Sequence, residues 1–145
     1  MKLYKEQIEL TSHGKTPSYF DITPQVKEAI AKSGVKEGIC TVLTAHTTCS
    51  VFFEEFVHHY TEDGDEFLQV DLNNVLEKII PNQTDYGQYT YPGEKHYEAV
   101  ESWPDAEVYL PGGDRTQLFN CDAHLKSTIL GSSETFEVAD GKLGV

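Results

Sequence analysis

The sequence predicts an α+β domain with a largely antiparallel sheet. Extended runs open and close the chain, helical patterns lie between them, and the two kinds do not alternate as a doubly wound parallel sheet requires. The closing run "TFEVADGKLGV" also reads as two strands joined at Asp140–Gly141, a dipeptide suited to a tight hairpin turn. At 145 residues, 39% of them hydrophobic, the chain fits one domain with a buried core and lies outside the disordered class.

Each element has its own signal. "LYKEQIEL" alternates, with Tyr4, Glu6, Ile8 and Leu10 on one side, and predicts a strand. "SHGKTPS" is a turn-rich link to a short second strand, "YFDI", so the opening is expected to be a hairpin. Thr23 is placed to cap a helix whose first position is Pro24, where a missing N–H costs nothing. That helix puts Val26, Ala29 and Ile30 on one face and ends at Gly34. "GICTVLTAHTT" is expected as a central strand that "VFFEEF" continues or pairs with. "DEFLQVDLNNVLEKIIP" is the second main helix: Leu68, Leu72, Val75, Leu76 and Ile79 recur at helical spacing, with Pro81 beyond the end. Residues 81–117 carry four of the six prolines and read as a long loop, functional or mobile. "QLFN" then resumes an extended run, and Asp122 is expected to cap a short helix, "AHLKSTIL", stopped by Gly131.

Charge and composition narrow the function. A net charge of -13 and the absence of a basic patch oppose nucleic-acid binding. No run approaches the ~20 apolar residues of a membrane span. "MKLYKEQIEL" has charges where a secretory signal needs an apolar segment, so a soluble cytoplasmic protein is expected. Three cysteines without metal-finger spacing agree with a reducing compartment. Cys40 reads as core, while Cys49 and Cys121 each stand three residues from a histidine. A phosphorylated ligand would need a local reversal of the acidic field, by a cation, a helix start, or both.

Of the six histidines, His13, His58 and His59 read as solvated. His46 ends an apolar strand among Thr44, Thr47, Thr48 and Ser50. His96 lies in the long loop, and His124 is expected second in the helix after Asp122. The positive end of that helix favours a neutral ring, and its free N–H groups, with Lys126 one turn on, suit an anion. Spacing alone does not join the three rings.

The wording around them resembles the secondary thiamine-phosphate synthase family, also called YjbQ-like. "HTTCSVFFEE" is similar to that family's histidine motif, with His46 and Glu55 in place and Glu54 where asparagine is usual. Asp71–Leu72 and His96–Tyr97 match its next two signatures, and "NCDAHLKSTILGSS" matches its last one closely. The resemblance covers nearly the whole chain, with two departures. Residues 98–115 read as an insertion, and two further C-terminal strands expected of the family do not follow "DGKLGV".

Membership implies a single YjbQ-like domain over 1–145, a mostly antiparallel, β-sandwich-like core with two main helices, and a homotrimer. It implies a divalent metal, zinc or magnesium, held by His46, His96 and His124. Glu55, His46 and His124 are then the catalytic candidates, and Thr47, Thr48, Lys126, Arg115 and Asp122 the substrate-binding ones. The implied reaction joins a pyrimidine pyrophosphate to a thiazole phosphate, giving thiamine phosphate and pyrophosphate. The alternatives are a metal-dependent hydrolase of a small phosphorylated or acyl compound, and a metal- or ligand-binding trimer without catalysis. In each reading the partner is a small molecule, not nucleic acid or membrane.

Overall fold

A computed structural model describes residues 1–145. In chain order it contains α1 (Thr23–Ser33), β1 (Gly38–Leu43), α2 (Phe67–Ile79), α3 (Glu94–Glu101), α4 (Ala106–Tyr109), α5 (Cys121–Leu130), β2 (Ser133–Ala139) and β3 (Lys142–Leu143). The strands form one antiparallel sheet in the order β1-β2-β3. The mixed class and the antiparallel pairing are as expected. The layering differs: one chain holds a single three-stranded sheet, with β1 at its edge and not at its centre.

Register decides which face is covered. Cys40 opposes Phe136 and Val42 opposes Glu134, so one face carries Cys40, Val42, Phe136 and Val138. Helix α1 lies against it, and Val26, Ile30 and Val138 form the buried cluster that Cys40, Val42 and Leu143 flank. The helix ends as its sequence requires, with Gly34 at φ 64 and its N–H on the Ala31 carbonyl. At its start Thr23 is the first helical residue, and Asp21 Oδ1 accepts the Thr23 N–H at 2.9 Å. The Asp140–Gly141 turn also forms as read, with both residues at positive φ, 52 and 75.

The other sheet face carries Ile39, Thr41, Leu43 and Thr135, and it lies open. Ile39 is 77% and Leu43 67% exposed. The whole chain shows the same excess. Its accessible surface is 10594 Å², where a compact monomer of its mass has about 7,500 Å². Only 12 of 145 residues are buried, and Phe53, Phe56, Phe67 and Ile79 are each at least half exposed.

Several sequence expectations are corrected. Residues 1–21 form no ladder, so the opening hairpin is absent. An isolated two-stranded unit is marginal in water, and this segment instead docks Ile8 beside the α1 cluster and ties Glu6 to Lys32 at 3.1 Å. "VFFEEF" pairs with no strand; Val51 donates one hydrogen bond to the Gly131 carbonyl at 3.1 Å. The stretch 81–117 is no continuous loop, since it contains α3, α4 and 3₁₀ turns at Pro111–Gly113 and Arg115–Leu118, the last where "QLFN" was expected to extend. With α5 at ten residues the chain has three helices of ten or more, not two. Asn120 and not Asp122 precedes α5, which makes His124 its fourth residue.

Candidate functional site

The residues singled out in sequence fall into two groups. The first surrounds His46. After β1 the chain turns sharply: the Cys49 N–H reaches the His46 carbonyl at 3.1 Å, so Thr47 and Thr48 form an exposed turn. Three hydrogen bonds clasp this turn to α5 and the segment after it. Thr44 N–H donates to the Ser132 carbonyl at 2.9 Å, Val51 N–H to the Gly131 carbonyl at 3.1 Å, and Ser127 Oγ to the Cys49 carbonyl at 2.8 Å. Between the two segments lies an open cavity of about 260 Å³. His46, Thr44, Thr47, Ser127, Thr128 and Ser132 supply its polar walls, and no charged carboxylate, lysine or arginine lines it. Thr48 and Glu55 are not on its wall. Glu55 is exposed, and its carboxylate accepts only the neighbouring Phe56 N–H, at 3.1 Å.

The second group surrounds Tyr91. His96, in the first turn of α3, has its Nε2 3.1 Å from the Tyr91 hydroxyl, and the two rings lie 4.9 Å apart. His124, from α5, meets the same phenol ring edge-on at 5.6 Å. The Gln83 amide holds this arrangement from behind, giving its N–H to the Tyr91 carbonyl at 3.2 Å and accepting the Cys121 N–H at 2.9 Å. Burial raises the Tyr91 phenol above its usual value of 10.0, with the nearby Cys121 adding to the shift. Cys121 is buried in turn, and desolvation raises its thiol, so it stays protonated and packs as an apolar residue. Cys49 is exposed.

The candidate phosphate-binding cations are already engaged. Lys126 Nζ lies 2.7 Å from Asn82 Oδ1 and 3.4 Å from the Asp122 carboxylate, with only 13% of its side chain exposed. Asp122 therefore spends its charge on Lys126 within the first turns of α5. Arg115 is bidentate to Glu101, at 2.6 and 2.9 Å, and reaches Glu94 at 3.0 Å, while its guanidinium stacks 4.9 Å over the Tyr97 ring. These carboxylates raise the arginine further above its ordinary range, and its hydrogen bonds hold the Glu101 carboxyl below the usual 4.5. Arg115 thus fastens the two ends of α3 to the Arg115–Leu118 turn.

The structure therefore brings His96 together with His124, and His46 together with the far end of α5. No three His, Cys, Asp or Glu side chains of one chain form a group that could hold a metal ion. A three-histidine centre does not fit a single copy, and the Nε2 of His96 already has a partner. Sequence reading missed Ser127, Thr128 and Ser132, although they stand inside the "AHLKSTILGSS" stretch that drew attention for its histidine. Tyr91 and Gln83 had no such signal.

A model of the "UPF0047 protein YjbQ-like" family matches residues 6–145. The chain belongs to this family. The YjbQ-like chain is 29% identical to the UPF0047 protein of Methanocaldococcus jannaschii over 140 residues, covering 97% of the chain and 74% of that relative. It is 31% identical to the UPF0047 protein of Archaeoglobus fulgidus over 139 residues, covering 95% of the chain and 81% of that relative. Among solved structures it resembles an uncharacterized conserved protein of the yjbq/upf0047 family from Clostridium acetobutylicum, with TM-score 0.55 and 27% identity over 87% of this chain and 70% of that one. These likenesses fix family and fold; the names they carry state no activity.

Proposed function

We propose that the YjbQ-like chain is an enzyme acting on a small phosphorylated compound in the pocket at His46. The reaction we favour is the one the sequence resemblance implies, transfer of a pyrimidine from its pyrophosphate to a thiazole phosphate. One observation carries this reading. The two segments on which the resemblance rests, "TAHTTCS" and "AHLKSTILGSS", meet at one polar cavity and are stitched together by hydrogen bonds around it. In this reading His46 is the proton-handling group at the cavity wall, and the hydroxyls of Thr47, Thr128 and Ser132 orient the substrate.

The working form we propose is a homotrimer. About 3,000 Å² of surface beyond that of a compact monomer supports it, an area typical of obligate assemblies. The open face of β1 and β2 then packs on a neighbouring copy and gains the second layer that the chain lacks alone. In this reading a zinc or magnesium ion would lie only between copies, with His46 of one protomer among its donors.

The test supplies purified protein with both substrates and magnesium and measures thiamine phosphate. Formation above a His46→Ala control, lowered in parallel by Thr128→Val, is expected. No product above that control refutes the synthase reading.

A further inference from the structure

We infer that the exposed aromatic pair Trp103 and Tyr109 is a docking surface for an arginine-bearing basic segment of another protein. Trp103 precedes α4 and Tyr109 ends it, and their rings stand 5.2 Å apart at 81°. Trp103, Val108 and Tyr109 are 45%, 73% and 44% exposed, so one short stretch leaves an indole, a phenol and a valine to water. Tryptophan and tyrosine are the side chains most enriched among the anchors of protein interfaces.

Charge selects the partner. Residues 94–107 carry five carboxylates, Glu94, Glu98, Glu101, Asp105 and Glu107, against one lysine, Lys95. Glu94 and Glu101 are held by Arg115, and Glu107 accepts the Gly112 N–H at 2.9 Å. Glu98 and Asp105 are exposed and enter no ion pair, and the Asp105 side chain does not cap α4. In a chain of charge -13, such a surface repels nucleic acid and anionic membranes and attracts a cationic partner.

The molecule already shows how these groups take an arginine. Tyr97 of α3 receives the Arg115 guanidinium over its ring at 4.9 Å, while Glu101 and Glu94 accept its N–H groups at 2.6 and 3.0 Å. Trp103 and Tyr109, with Glu98 and Asp105 near them in the chain, present the same ring-and-carboxylate chemistry outward. A second copy cannot fill it with arginine, since Arg115 is the only one in the chain and is bound internally. No residue of this stretch lines the His46 cavity, so docking does not depend on the reaction proposed there.

Trp103 is also the only tryptophan, so its emission reports on this surface alone. The experiment titrates the full-length protein with a short peptide of alternating arginine and glycine, and with the matching citrulline peptide. A saturable change in emission is expected with arginine and none with citrulline. Anisotropy of the labelled arginine peptide then compares variants whose far-UV circular dichroism matches wild type. Trp103→Ala should weaken binding about fivefold or more, and Asp105→Asn, which keeps the side-chain shape, about twofold. No saturable change, equal binding of the citrulline peptide, or an affinity that Trp103→Ala leaves in place overturns the inference; the last would mean attraction by the overall acidic field. Emission that shifts with protein concentration before any peptide is added would assign the surface to a second copy, and overturns it too.

Discussion

Replacing Ile39 by lysine separates a covered sheet face from a free one, because the expected sign differs between the two. Ile39 is 77% exposed in the single chain and stands opposite Glu137 across β1 and β2. If that face met only water, the new ammonium would pair with the Glu137 carboxylate and stabilise the fold by about 0.2–1 kcal/mol. If a second copy covers the face, the substitution forfeits the burial of an isoleucine, about 1.5–3 kcal/mol, and buries a charge besides. At 1.4 kcal/mol per factor of ten, the burial alone weakens each contact about 10- to 100-fold. Light scattering coupled to size exclusion, over a dilution series from tens of micromolar downward, reads this directly. Wild type should hold three chains, and Ile39→Lys should fall to monomer at concentrations where wild type does not. A monomeric wild type refutes the proposed assembly, and a mass curve that Ile39→Lys leaves in place refutes the covering of this sheet face by a second copy.

Three further outcomes are expected. Val100 on α3 is 1% exposed, so Val100→Ala should cost about 1.5–3 kcal/mol in a urea melt; a cost near zero would mean that α3 does not bury this face. Arg115 lowers the Glu101 carboxyl below 4.5, so their pairing contributes fully above that pH and is lost as pH falls through the lower folded value. The stability gap between wild type and Arg115→Met should be flat from neutral pH to about pH 5 and shrink below it; a gap that widens on acidification would contradict the ion pair. Ser127→Ala removes the hydrogen bond to the Cys49 carbonyl and should cost about 0.5–1.5 kcal/mol in the same melt while loosening the His46 pocket, read as faster amide exchange at Cys49 and Val51; unchanged exchange there would dismiss the clasp.

What could be read from sequence was what short-range chemistry decides. Helix α2 needed only Leu72, Leu76 and Ile79 at helical spacing with Pro81 after them, and the last hairpin only Asp140–Gly141 between two β-rich runs. The N-terminal segment shows why the same method failed elsewhere. Its alternation is real, yet a strand needs a ladder partner, and the edge of β1 is not supplied by these residues. Helix α3 was hidden by its own start signal. The prolines of 81–117 read as loop, although Glu94 in the first turn and Tyr97 with Val100 three apart mark a short helix with one buried face. At the site, the two histidine motifs meet at one cavity that His46 and Thr47 line, while Ser127 and Ser132 were not singled out because they reach it through the packing of α5. Tyr91 joins His96 to His124 through contacts that no spacing rule encodes.

The phosphorylated ligand proposed above would meet a molecule whose charges are already paired. The chain carries -13 overall, and both cations nominated for phosphate, Lys126 and Arg115, are matched by Asp122 and by Glu94 with Glu101. The cavity at His46 offers hydroxyls and one imidazole, which orient a phosphate without neutralising it. A pyrophosphate that came bare would have to break an ion pair or stand unscreened in an acidic field; one that comes with magnesium brings its own countercharge. Binding of inorganic pyrophosphate should therefore depend on magnesium. Calorimetric titration should give measurable heat with the metal present and none in excess chelator, and calcium should substitute in part, since both ions take oxygen ligands. Equal affinity in chelator would mean that a free cation from a neighbouring protomer faces the cavity, and the magnesium requirement would then be wrong.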